Sequence, residues 1–361
     1  MSSFSKTRRR SVLGGLCALL AAVSAGSLAS GVIPTGLREV LAALPDALLV
    51  AITPMLNRPY PSLHGDAGQL ILILAEIRIP RLLLALMVGA GLAMCGAVMQ
   101  GLFRNPMADP GLLGVSSGAA LGAVMSIVLG GALFAGGLFG ALLLPVAAFA
   151  GGLAGLALVY RLSLVGGKTD TATMLLAGIA VNAIAGALIG LMSYLADDEQ
   201  LRGLIFWSLG SLEAVDWRAL LAAMLLVIPA LLLLPFYAGA LNANLLGESE
   251  AGHLGIDMEK VKRHLVILVA LVVGAAVCLS GVIGFVGLVV PHLIRIALGP
   301  DHRLLLPASA LFGAALLGGA DILARTAAAP AEIPVGIITA ALGGPFFLWL
   351  LLRFRRARVA Q

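Results

Sequence analysis

Charge is scarce in this chain, and its scarcity excludes more than any motif present. Only 11% of the 361 residues are Asp, Glu, Lys or Arg, 60% are hydrophobic and mean hydropathy is +1.06, outside the range of soluble domains. From Pro110 to Tyr160 there is no Asp, Glu, Lys, Arg or His. A helix needs roughly 20 residues to cross hydrocarbon, so that stretch holds two spans. Strict apolar–polar alternation is missing, which excludes a membrane β-barrel and leaves helices to satisfy the backbone in lipid. The three cysteines, Cys17, Cys95 and Cys278, lie in apolar runs and give neither a disulfide framework nor metal spacing. No two histidines stand four residues apart and none stands four from a cysteine, so no metal is signalled. No nucleophile, base and orienter set is found, which argues against a multi-span enzyme.

What remains is an all-α polytopic membrane protein, one transmembrane domain over residues 1–361. The apolar runs predict about ten transmembrane helices. Residues 11–33 form the first, followed by an external loop over 34–77 with an interfacial helix and spans two to five over 78–196. An external segment over 197–216, span six over 217–242, a cytoplasmic loop over 243–263, spans seven to ten over 264–352 and a tail over 353–361 complete the chain. With the N-terminus inside, sixteen Lys and Arg residues fall on the cytoplasmic side and seven outside, so the positive-inside rule places both termini in the cytoplasm. The net charge of +5 therefore reflects topology, not nucleic-acid binding. The basic start, KTRRRSVLGG, precedes an apolar stretch too long for a cleaved signal and reads as a retained helix.

Within the spans, Gly114, Gly118 and Gly122, Gly151 and Gly155, and Gly186 and Gly190 are spaced as helix-packing seams. ALMVGAGLAMCGAV at Ala85–Val98 echoes ALVVGAAVCLSGVI at Ala270–Ile283. Five spans separate the two, so they run in opposite directions, as in an inverted repeat of helices 2–5 and 7–10. The external QLRGLIFWSLGSLE is spaced for a short amphipathic helix. Val165-Gly-Gly-Lys-Thr-Asp170 mimics the end of a phosphate loop, but Leu162 stands where its first glycine belongs, so it reads as a connector. This chain does not hydrolyse ATP unaided.

Charges at the membrane boundary carry the functional expectation. Arg78 and Arg81, three apart, share a helix face at the outer level; Asp321 and Arg325, four apart, suit either a local ion pair or presentation of Arg325 at the outer mouth. Three basic residues on the side where positive charge is depleted suggest a docking surface for acidic groups, with snorkelling anchors as the alternative. Gly247-Glu-Ser-Glu-Ala-Gly-His-Leu-Gly255 brackets a short acidic helix with glycines, of a size to plug into a partner's groove. His292 follows Pro291 in GFVGLVVPHLIR, where helix breakers at depth suggest an interrupted helix. A secondary transporter coupled to protons through Asp321 or His292 stays open on these residues alone.

The chain resembles the FecCD/vitamin-B12-type permeases of bacterial ABC importers for iron-siderophores, haem and cobalamin. The resemblance rests on RIPR at Arg78–Arg81, GAVMQGLFRNPMADPGLLGVSSGAA at Gly96–Ala120, FWSLGSL at Phe206–Leu212, GESEAGHLG at Gly247–Gly255 and GVIGFVGLVVPHLIR at Gly281–Arg295. It continues through DHRLLLPASALFGA at Asp301–Ala314 and ADILARTAAAPAEIPVGIITAALGGPFFLWLL at Ala320–Leu351. It implies a homodimer in the inner membrane, driven by two cytoplasmic ATPase subunits that use ATP and Mg, with no cofactor or metal in this chain. It implies that Arg78, Arg81 and Arg325 receive glutamates of a periplasmic binding protein. Gly247, Glu248, Glu250, Ala251 and Gly255 would belong to the loop seated on the ATPase, and Gly166, Gly167, Lys168, Thr169 and Asp170 would lie near the cytoplasmic gate. GLFRNPMADPGLLGVSSGAA and MSYLADDEQLRGLIFWSLGSL look most like the haem branch, and the apolar, Met-containing spans suit a flat hydrophobic cargo. A ferric siderophore or cobalamin is the alternative cargo, and the residues of the substrate pathway are not marked.

Overall fold

The computed structural model describes residues 6–31, 35–52, 65–130, 137–166, 168–213 and 216–359. Among them, seven helices are long and apolar enough to cross a membrane, and three shorter apolar helices, Val115–Gly130, Val286–Leu298 and Val335–Trp349, bring the set to the expected ten. In chain order the helices are α1 (Lys6–Ala29), α2 (Leu37–Ile52), α3 (Gly65–Ile73), α4 (Ile79–Leu102), α5 (Val115–Gly130), α6 (Gly137–Leu162) and α7 (Thr171–Leu195). They continue as α8 (Asp198–Ser208), α9 (Trp217–Leu233), α10 (Ala238–Asn244), α11 (Glu248–His253), α12 (Met258–Ser280), α13 (Val286–Leu298), α14 (His302–Thr326) and α15 (Val335–Val359).

The sparse polar residues punctuate these helices. Asp170, Asp197, Asp216, Asp257 and Asp301 are the N-caps of α7, α8, α9, α12 and α14, each accepting a backbone N–H from the first turn. A carboxylate there satisfies donors that lack a partner and complements the positive end of the helix dipole. Asp197 and Gln200 complete a capping box on α8, the short external helix expected from its spacing.

α4 is the buried axis of the bundle, with α14, α13 and α12 packed around it, while α1 lies at the rim against α14. Close approach depends on glycine. A Cβ added at Gly118 or Gly122 of α5 would collide with the carbonyl oxygens of Gly151 and Ala147 on α6, and one at Gly89 with that of Gly313 on α14. Among the described residues the expected seam at Gly186 and Gly190 does not form, for nothing lies within 4 Å of an added Cβ at either.

The inverted repeat is visible in the packing. α4 packs on α14 and α12 on α6; α5 on α6 and α13 on α14; α5 on α7 and α13 on α15; α4 on α13 and α12 on α5. With α4, α5, α6 and α7 matched to α12, α13, α14 and α15, each of these contacts has its counterpart. The entries to α5 and α13 also correspond, since each helix follows a residue of positive φ, Gly114 at 75° and Phe285 at 68°. Asn182 of α7 donates to Gly111 O at 3.3 Å and accepts from the Ser117 hydroxyl. It lies eleven residues into its helix, about 16 Å at 1.5 Å per residue. The α4–α5 connection therefore turns back to mid-depth, where irregular backbone persists only with protein partners.

Two expectations are corrected here. The helix leading into the second span starts at Gly65 and runs through a π-turn at Leu74–Arg78 into α4, so residues 65–77 are helix and not loop. The interruption before α13 lies at Gly281–Phe285; Pro291 and His292 are inside the helix, with the His292 ring edge-on to Phe346 at 6.3 Å. Most of the external loop's prolines, and His64, lie outside the described residues.

Candidate functional sites at the two ends of the bundle

At one end the three expected arginines meet, but they point inward. Arg78, Arg81 and Arg325 are 4%, 6% and 6% exposed. Arg81, in the first turn of α4, places its fork across two carboxylates. Nε and Nη2 both reach Asp321 Oδ1 at 2.9 Å, while Nη1 and Nη2 meet Glu332 at 3.1 and 2.8 Å. Arg325 Nε pairs with Asp321 Oδ2 at 3.2 Å, the local ion pair that their spacing allowed. Its terminal nitrogens donate to Ser30 O, Ser27 O and Ser27 Oγ at 3.0, 3.2 and 2.9 Å. Arg78 turns toward α1 as well, donating to Leu28 O and Thr35 Oγ1 at 2.6 Å.

The physical reason is the last turn of α1. A helix ends on carbonyls that have no intrahelical partner, and here two guanidinium groups supplied by distant elements satisfy them. Arg78 and Arg81 share a face by spacing, yet one serves α1 and the other α14. A charge at membrane depth is tolerated when paired and hydrogen-bonded, and Asp321, fully buried, sits between two cations. In this arrangement the cluster braces α1, α4 and α14. Glu332 is its outermost member, with its side chain 25% exposed.

At the opposite end a second cluster joins segments that the sequence kept apart. Leu164–Val165 and Lys168–Thr169 pair as a two-stranded turn, which confirms a connector in place of a phosphate loop. Gly166 has φ +59°, and Gly167 lies outside the described residues. Thr169 donates its N–H to Glu259 Oε2 at 3.0 Å and its hydroxyl to Glu259 Oε1. One turn on along α12, Lys262, 4% exposed, donates to Thr169 O at 3.0 Å and to Glu248 Oε2 at 2.8 Å. The Thr173 hydroxyl and N–H donate to Asp170 and hold its carboxyl below the usual carboxylate range.

The short acidic helix forms as expected. α11 begins at Glu248 and lies between Gly247, φ 128°, and Gly255, φ 80°. Ala251 is buried against Ala243 and Met258, whereas Glu250 is exposed. Asn244, just before it, donates to Gly101 O and Leu102 O at 3.0 Å and so caps the end of α4. Sequence reasoning missed Glu332, Glu259 and Lys262. The signal for the last two was their spacing of three on one helix face, which shows a shared face but not a partner.

Known proteins share this architecture. The description of the FecCD transport family matches residues 19–353. The hemin transport system permease protein HmuU of Yersinia pestis is 52% identical over 292 residues, covering 78% of this chain and 84% of that protein. The cobalamin import system permease protein BtuC of Halobacterium salinarum is 44% identical over 287 residues, covering 77% of this chain and 73% of its own. A solved structure described as an inward-facing conformation of a metal-chelate-type ABC transporter aligns at a TM-score of 0.78 and 32% identity, covering 95% of this chain and 99% of that one.

Proposed function

We infer, from the premise that this chain belongs to the FecCD transport family, that it is the membrane-spanning permease of an ABC importer whose cargo is haem. The observation that carries the cargo is the 52% identity to a hemin permease, against 44% to the cobalamin permease of Halobacterium salinarum, over comparable lengths. The chain makes no covalent change itself. Two copies form the pathway, and two ATPase subunits, which bind the ATP and Mg, seat on α11 at the cytoplasmic face. The count of sixteen cationic residues against seven supports that orientation and both termini inside, in a bacterial inner membrane.

A periplasmic binding protein docks at the arginine end in this reading. Because Arg78, Arg81 and Arg325 are already engaged, a docking carboxylate reaches Arg81 by exchanging with Glu332, its partly exposed partner. Glu332→Gln is therefore expected to strengthen binding-protein association at low salt, where charge is least screened. Titration of labelled binding protein onto the permease reads this, and unchanged or weaker affinity counts against the exchange.

The cargo assignment is tested by ATPase stimulation in the reconstituted complex. Haem-loaded binding protein should stimulate hydrolysis most, with cobalamin-loaded and ferric-siderophore-loaded binding proteins near the unstimulated rate. Strong stimulation by the cobalamin-loaded protein alone would reassign the cargo and leave the importer reading intact.

A further inference from the structure

We propose that Lys262 is the positioning residue through which motion of α11 reaches the Leu164–Thr169 turn. This rests on the reading of α11 as the seat of the ATPase. α11 is a six-residue helix between two glycines whose backbone, φ 128° at Gly247 and 80° at Gly255, other residues adopt only under strain. It is built to move as a unit. Among the described residues its side-chain tie to the rest of the chain is the Glu248–Lys262 ion pair at 2.8 Å.

Lys262 is what makes that tie reach further. The residue is 4% exposed, and its one side-chain nitrogen serves both Glu248 Oε2, at 2.8 Å, and Thr169 O, at 3.0 Å. The acceptors belong to segments separated in sequence and joined in space at this single atom. Displacing Glu248 leaves a buried ammonium short of a partner, a costly state, so the cation moves with α11 or holds it back. Thr169 is bound into the same group twice more through Glu259, one turn earlier on α12. On the other side, Asp170 N donates to Ser163 O at 2.9 Å and closes the turn. A shift at α11 is therefore delivered to Thr169 and, through its pairing with Leu164, to the first strand of the turn.

Packing offers a rival route. Ala251 sits against Met258, so α11 also pushes on the start of α12. The two routes differ in what they predict when the charge is removed and the packing is kept.

The test uses the complete complex of permease, ATPase subunits and binding protein in vesicles, with spin labels at Val165 and at Leu254, both exposed at 60% and 65%. In the parent complex both labels respond to nucleotide. In Lys262→Met the Leu254 label still responds and the Val165 label does not. Cargo taken up per ATP hydrolysed then falls about tenfold, the factor expected for one charge-assisted hydrogen bond. Glu248→Gln, which leaves the core intact, gives the same pattern with smaller size, and Lys262→Arg restores the Val165 response. A Val165 response that persists in Lys262→Met, or uptake per ATP equal to the parent's, overturns the proposal and favours the packing route. A parent complex in which the Leu254 label ignores nucleotide refutes the seating of the ATPase on α11, and the proposal falls with it.

Discussion

Asp321→Ala is expected to cost about 3–5 kcal/mol of stability, the range for breaking a buried ion pair by removing one partner. The residue is fully buried between Arg81 and Arg325, so its loss leaves Arg325 with no carboxylate and Arg81 with Glu332 alone. Thermal unfolding in detergent, followed by loss of the monodisperse elution peak, reads the change. Replacing both cations as well, with Arg81→Met and Arg325→Met on top of Asp321→Leu, is expected to recover part of the loss, because the charge then left without Arg81 is that of Glu332, which is partly exposed to solvent. Recovery stays partial, since Arg325 also caps the α1 carbonyls through Ser27 and Ser30. An unchanged melting temperature for Asp321→Ala would show that the cluster does not brace these helices.

Gly96→Val is expected to have the second-largest effect. A Cβ at Gly96 of α4 would collide with the backbone of Gly287, in the first turn of α13. Backbone cannot swing aside as a side chain can, so α13 must shift at its irregular entry. Overpacking of this kind costs typically about 1–3 kcal/mol, and because the α13 entry is part of the packing between the two halves, uptake should fall further than stability. Gly186→Ala is the control: nothing lies within 4 Å of its added Cβ, and alanine is the better helix former. Uptake by Gly96→Val equal to the parent's would remove that contact from the account. A loss at Gly186→Ala as large as that at Gly96→Val would place a neighbouring chain over the open face of α7.

The elements were legible where local chemistry fixes them. Runs such as Thr171–Ala196 leave helix as the available spanning form, and aspartates at 170, 197, 216, 257 and 301 mark where helices start. α11 was legible from its bracketing glycines for the same reason. The continuous helix from Gly65 was not, because GDAGQLILILAEI carries two acidic residues and reads as loop by charge, although α2 and α3 bury an apolar face between them.

The sites were half legible. Spacing on a helix gives the face a residue occupies, and it offered the Asp321–Arg325 ion pair as one of two readings, the one found. It does not give the partner on another element. Arg81 meets Glu332 across 251 positions, and Arg78 finds Leu28 O at the end of α1, 50 positions earlier. The expectation of arginines displayed outward followed from counting charge on one side of the membrane, whereas their orientation is set by unsatisfied carbonyls that no count reveals. Lys262 was hidden for a related reason: in IDMEKVKRH it is one of four basic residues if His264 is included, and burial singles it out.

The central claim is that this chain moves cargo only when coupled to ATPase subunits. The direct measurement is uptake of haem into vesicles holding the permease and haem-loaded binding protein, with and without those subunits, with ATP or with a proton gradient alone. Uptake is predicted with the ATPase subunits and ATP, and none in their absence under any proton gradient. Concentrative uptake by the permease alone, driven by a proton gradient through Asp321 or His292, would contradict the account.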